Sequence, residues 1–184
     1  MKQVIKITAV FVVLGFAVFF LFEPVCSIFY KIKGSDKIEH GLKSRLAKLA
    51  AQSLQSGDVP VGAVLIYKNE VIGVGYNTVM KDSAAYGHAE INSISSAMKK
   101  TGSGAFYELD RNDLQLITTL EPCQMCKGAI VEYRIKHVSF MKAKDFAYWF
   151  KENRWQLLYQ FKKKQVEGTG MQDSLLHLHP KYDD

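Results

Sequence analysis

Two short segments, His88-Ala89-Glu90 and Pro122-Cys123-Gln124-Met125-Cys126, bring one imidazole, two thiols and one carboxylate into the same chain. One His and two Cys form a zinc donor set, and three protein donors leave the fourth tetrahedral position open, as in catalytic rather than structural centres. A zinc ion held in this way lowers the pKa of a bound water from about 15.7 towards roughly 7, so hydroxide is available near neutral pH. A carboxylate beside it, here Glu90, is suited to take the water proton and return it to a ring nitrogen and then to a leaving amine. The chemistry such residues could do together is hydrolytic deamination.

Each half of the pattern has a plainer reading. A C-x-x-C pair alone serves redox dithiols and structural half-sites, and Glu90 alone reads as a solvated helix carboxylate. A structural zinc centre, however, needs a fourth protein ligand, and the remaining cysteine, Cys26, sits in or beside an apolar N-terminal run. A redox dithiol would leave His88 without a role. The three cysteines also offer no disulfide framework.

Local sequence indicates how these residues are positioned. Pro122 suits the first position of a helix, which puts Cys123 and Cys126 three residues apart on one face at a helix N-terminus. The positive end of the helix dipole there favours thiolate over thiol. Ile91, Ile94 and Met98 recur at helical spacing after Glu90, so His88 and Glu90 open a second helix with one buried side.

The flanking elements alternate. A helix is predicted from His40 to Ser56, with Leu42, Leu46, Leu49, Ala50 and Leu54 on its apolar face and Gly57 as its stop. Strands at Gly62–Tyr67 and Val71–Tyr76 flank the turn Lys68-Asn69-Glu70 as a hairpin. Beyond the His88 helix, Gly102-Ser103-Gly104 breaks into a polar loop; a strand at about Leu114–Thr119, the Cys123 helix and a strand at His137–Met141 follow. Asp145 is placed to cap a long helix running to about Lys164. This is an α/β pattern in one domain.

Residues from about His40 to Lys144 resemble the cytidine and deoxycytidylate deaminase superfamily, in its branch of tRNA adenosine, guanine and fungal-type cytosine deaminases. The likeness rests on Val59-Pro60-Val61-Gly62-Ala63-Val64, Gly75-Tyr76-Asn77, His88-Ala89-Glu90-Ile91 and the run from Thr118 to Ile130 around Glu121-Pro122-Cys123. The resemblance implies a three-layer α/β/α sandwich with a mixed five-stranded sheet. It implies zinc ligands His88, Cys123 and Cys126, and Glu90 as the catalytic proton shuttle. It also implies that Asn77 binds the substrate base, that backbone groups near Ala89 and Glu121 orient it, and that the protein forms a homodimer. The expected substrate is a free nucleobase or nucleoside. Adenosine or cytidine in tRNA or single-stranded nucleic acid is the alternative, and a non-catalytic zinc module tethered to a membrane is a second one. Where the tRNA enzymes carry Pro-Thr-Ala before H-A-E, this chain has Ala85-Tyr86-Gly87, so Tyr86 and Gly87 are expected to border the pocket.

The first thirty residues read as a separate segment. Ile7 to Phe22 is an uncharged apolar run of sixteen residues, an N-terminal hydrophobic helix of roughly 24 Å, against the ~30 Å of a bilayer core. The expected organisation is a membrane anchor or signal-like segment over residues 1–30, a linker over 31–39 and the deaminase domain over 40–184. Residues 4–22 would engage the membrane, giving a single-pass anchored protein with its catalytic domain in the cytoplasm. Export through a signal peptide and a buried core helix are the competing readings. The formal charge of +6 is concentrated late: from Lys127 to Lys164 ten Lys or Arg face three acids. That surface could hold nucleic acid or anionic headgroups, or be a solvated helix face.

Overall fold

Glycines decide where helix meets sheet in this protein. The structure is a computed structural model in which residues 37–163 are described. The chain divides into two compact units, Met1–Lys43 and Ser44–Asp184. Of the first, residues 37–39 are irregular and residues 40–43 helical.

The elements run α1 (His40–Ser53), a 3-10 turn (Leu54–Ser56), β1 (Gly62–Tyr67), β2 (Glu70–Tyr76), α2 (Val79–Asp82), α3 (Ala89–Thr101), α4 (Ser103–Tyr107), β3 (Leu114–Leu120), α5 (Gln124–Glu132), β4 (His137–Lys142) and α6 (Phe146–Lys162). The four strands form one sheet in the order β2-β1-β3-β4. Strand β1 is antiparallel to both β2 and β3, and β3 is parallel to β4. Strands β2, β3 and β4 therefore all point the same way and end at one edge of the sheet.

Lys68 and Asn69 both take left-handed backbone (φ 48° and 67°), which makes the β1–β2 connection a two-residue turn of the kind whose twist matches a hairpin. Every residue of β1 except Tyr67 is buried, because both of its faces are covered. On one face Ala63 and Leu65 join Leu114 and Leu116 of β3 and Ala89, Ile94 and Ala97 of α3 in the main core, with Phe106 beneath. The other face carries Gly62, where a Cβ would meet Leu46 O at 2.7 Å and Ala50 N at 2.8 Å, so α1 rests there backbone against backbone. Gly73 and Gly75 serve α3 in the same manner: a Cβ on Gly75 would stand 2.2 Å from Ala89 O and 2.5 Å from Ser93 N. Gly75 thus seats the first turn of the helix that His88 opens, and Gly73 the stretch from Ser93 to Ala97 beyond it.

Several expectations need correction. The sheet has four strands among the described residues, not five; after β4 the chain turns into α6. The first helix ends at Ser53 and tightens into a 3-10 turn that leaves Leu54 60% exposed, so Leu54 is not part of the apolar face. Residues 103–107 are helical rather than loop. The membrane-anchored location is overturned: among the described residues no helix is long and apolar enough to cross a membrane. The apolar run at residues 4–22 and the hydrophobic helix expected there lie outside the described residues, as do residues 31–36 of the expected linker and everything from residue 164 on.

Candidate metal centre and active site

The common edge at the ends of β2, β3 and β4 gathers the residues singled out above. Asn77 follows β2 directly, Glu121-Pro122-Cys123 follows β3, and Lys144 follows β4. This is the side of an open α/β sheet on which ligands bind, beyond the carboxyl ends of parallel strands. A cavity of about 400 Å3 lies there, with His88, Glu90, Cys123, Asn77 and Glu121 in its wall.

His88 and Cys123 are each the N-cap of a helix, with extended backbone (φ −82°, ψ 148° and φ −77°, ψ 174°), and neither side chain caps its helix. Both are turned to a common point instead. Nδ1 of His88 is 3.5 Å from the sulfurs of Cys123 and Cys126, and the two sulfurs are 3.5 Å apart. Donors about 2.0 to 2.3 Å from one tetrahedral ion must stand roughly 3.3 to 3.8 Å from one another, so the triangle fits zinc. Pro122 precedes the cap rather than occupying the first helical position, and this shift is what makes Cys123 the cap.

Electrostatics at the helix ends suit thiolates. Cys123 is pulled down to about 4, first by its hydrogen bond with Cys126 and then by backbone N–H groups and the His88 ring. Cys126, fully buried, is pushed up by that same bond and by burial, so the pair shares one proton where no cation replaces it. Glu90 is 4% exposed, and burial raises its carboxyl above the ordinary range. One turn of α3 therefore offers a metal donor and a buried carboxylate to the same space.

The expected substrate residues have partners within the protein. Asn77, 8% exposed, accepts from the Ala89 N–H through Oδ1 (2.9 Å) and donates from Nδ2 to Val59 O (3.0 Å). It therefore ties the start of α3 to the loop before β1. The Ala89 N–H is thus taken, and Glu121 donates its own N–H to Lys142 O (2.8 Å) while Oε2 accepts from Lys144 N (2.9 Å). Tyr86 is 67% exposed and is not in the cavity wall. Gly87 packs on Thr78, where a Cβ would meet Thr78 C at 2.9 Å; the Tyr86-Gly87 pair shapes the loop, not the pocket.

Four wall or supporting residues were not anticipated. Asp58 accepts from Met80 N (2.8 Å), Lys81 N (3.3 Å) and Ser56 Oγ (2.7 Å), pinning α2 to the loop before β1. Burial acts to raise its pKa, but these donors outweigh it and hold the carboxyl below the usual range. Lys144 and Tyr148 form the wall at the start of α6, with Glu152 behind them paired to Lys144, and Asp145 caps that helix through Tyr148 N (2.7 Å) as expected. The basic surface is partly spent: Lys136 Nζ donates to Asn112 Oδ1 (2.7 Å) and Lys144 Nζ to Glu152 (2.9 Å).

Fold and site together define a mixed α/β domain with a three-donor metal centre and a buried carboxylate, a donor set that leaves an open coordination position. Residues 38–142 match the cytidine and deoxycytidylate deaminase zinc-binding region. The chain belongs to that family, and zinc is its metal. It is 37% identical over 93 residues to the tRNA-specific adenosine deaminase of Buchnera aphidicola subsp. Schizaphis graminum, covering 50% of this chain and 58% of that protein. It is 38% identical over 93 residues to the protein of the same name from Streptococcus pyogenes serotype M18, covering 50% and 55%. The chain thus spans little more than half the length of these curated relatives. Guanine deaminase from Bacillus subtilis is similar in structure, with a TM-score of 0.60 and 28% identity over 79% of this chain and 99% of that one.

Proposed function

We propose that this chain is a zinc-dependent hydrolytic deaminase that converts the exocyclic amine of a free nucleobase or nucleoside to a carbonyl and releases ammonia. The observation that carries the reading is the buried Glu90 carboxylate sharing a cavity wall with two donors of a triangle that fits zinc. His88, Cys123 and Cys126 hold the metal. When bound, zinc supplies a nucleophile at neutral pH by bringing the pKa of water from about 15.7 towards roughly 7.

The chain's own residues do the rest. Glu90 accepts one proton of the attacking water and delivers it to the ring nitrogen, then takes the proton left on the added hydroxyl as the carbonyl forms and gives it to the departing amine; one water is consumed and one ammonia leaves. Its burial raises its affinity for that proton above that of an ordinary carboxylate. Asn77 keeps a second Nδ2 hydrogen and a second Oδ1 lone pair for the edge of the base while its protein bonds fix its orientation. A cavity of about 400 Å3 is in the range of small-molecule sites, which favours a free base or nucleoside. The catalytic domain runs from His40 onward, and the family match starting at residue 38 supports that boundary. A second reading, adenosine within tRNA, is favoured by the names of the curated relatives.

The test is ammonia release by zinc-loaded wild type and Glu90→Gln from adenine, guanine, cytosine, their nucleosides and tRNA. The variant should keep its zinc and lose about 10²- to 10⁴-fold in rate. Equal rates in the two proteins would refute the assignment.

A further inference from the structure

Among the described residues the cavity wall offers an anion no unpaired lysine or arginine. Asp58, Glu90 and Glu121 put three carboxyl groups there, and Lys144 is the one Lys or Arg among the described residues of the wall. The Lys144 ammonium lies 2.9 Å from Glu152 Oε1, with the two side chains 10% and 16% exposed, and 4.5 Å over the Tyr148 ring. Four backbone donors beside the cavity are spent as well. Asp58 takes the N–H groups of Met80 and Lys81, Asn77 takes that of Ala89, and Lys142 O takes that of Glu121. At the metal centre, two thiolates balance the charge of a divalent ion.

We propose that the pocket selects an uncharged base or nucleoside against its 5′-monophosphate, and that Glu152 sets this choice by keeping Lys144 paired. The proposal rests on the deaminase reading above. Glu152 is a positioning residue, because it acts through Lys144 and is absent from the cavity wall. A phosphate reaching Lys144 would have to break a pair that is mostly out of water and leave the Glu152 charge without its partner, and such a loss is costly in a desolvated setting. The same pair braces the wall, since Lys144 also donates its N–H to Glu121 and supports the Tyr148 ring. Its replacement by a neutral isostere would turn Lys144 from a brace into an anion anchor.

The experiment compares adenosine, guanosine and cytidine with their 5′-monophosphates on the zinc-loaded full chain, reading kcat/KM by ammonia release and Kd by calorimetry. Wild type should disfavour the monophosphate by at least about tenfold. Glu152→Gln should narrow the ratio by about tenfold, and the narrowing should fade as salt is raised, which a merely structural defect would not do. Glu152→Gln with Lys144→Met should restore the discrimination. Wild type that binds the monophosphate as well as the nucleoside, or a ratio unmoved in Glu152→Gln, overturns the proposal. Absence of ammonia from every compound would refute the deaminase reading instead. The binding arm then still decides this one, with equal binding or binding of neither compound counting against it.

Discussion

Gly75→Ala should disable the metal centre from the far side of the helix that carries it. The added Cβ would stand 2.2 Å from Ala89 O, 2.5 Å from Ser93 N and 2.9 Å from Asn92 C, all backbone atoms that cannot rotate away. Reaching ordinary contact at about 3.4 Å requires the first turn of α3 to recede by roughly 1 Å. That turn begins at His88, whose Nδ1 sits 3.5 Å from both sulfurs, so a shift of this size opens the donor triangle. Overpacking of this kind costs about 1 to 3 kcal/mol, or roughly 3 to 10 °C in Tm for a chain of this size. Displacement of a reacting group by about 1 Å costs on the order of a hundredfold in rate. Gly128→Ala is the control, because nothing lies within 4 Å of a Cβ there and alanine favours a helix interior. Zinc content by mass spectrometry, Tm and ammonia release should all fall in Gly75→Ala and hold in Gly128→Ala. A Gly75→Ala protein with full zinc and unchanged Tm would refute the idea that β2 seats the centre through its glycines.

Two further outcomes are expected. Chelation of the metal should abolish ammonia release, and readdition of zinc should restore it; titration with a thiol reagent should find two more reactive cysteines after chelation, those of Cys123 and Cys126. Asp58 has a depressed folded pKa, so its contribution to stability is present above the unfolded carboxylate value and is lost as pH falls through the folded one. Asp58→Asn should therefore lower Tm at neutral pH, and the difference from wild type should shrink in acid; a difference constant with pH would count against the role of the carboxylate charge.

The site was legible because its residues are chemically unusual and close in sequence. His88 with Glu90, and Cys123 with Cys126, name their chemistry by type, and each pair lies at a helix start that local sequence announces. The hairpin and the Cys123 helix emerged for the same reason. What escaped was long-range. Lys144 and Glu152 look like ordinary surface charges, and only the folded arrangement puts Lys144 in the cavity wall with Glu152 paired to it. Asp58 beside Val59-Pro60 reads as a turn residue, yet its partners lie beyond both strands of the hairpin, at Met80 and Lys81. Tyr86 erred in the opposite direction: nearness to His88 along the chain suggested a pocket, whereas the turn points it outward.

The two N-cap ligands carry a cost in evolvability. A helix start ordinarily prefers Ser, Thr, Asp or Asn, which stabilises it by about 1 kcal/mol, and here the caps are His88 and Cys123, neither of which serves as a side-chain cap. A serine at position 123 would give the metal-free protein a better helix while removing a donor. Selection for a sturdier fold alone therefore pulls against the centre at two of its three ligands, and only the free energy of metal binding makes the present residues the better choice.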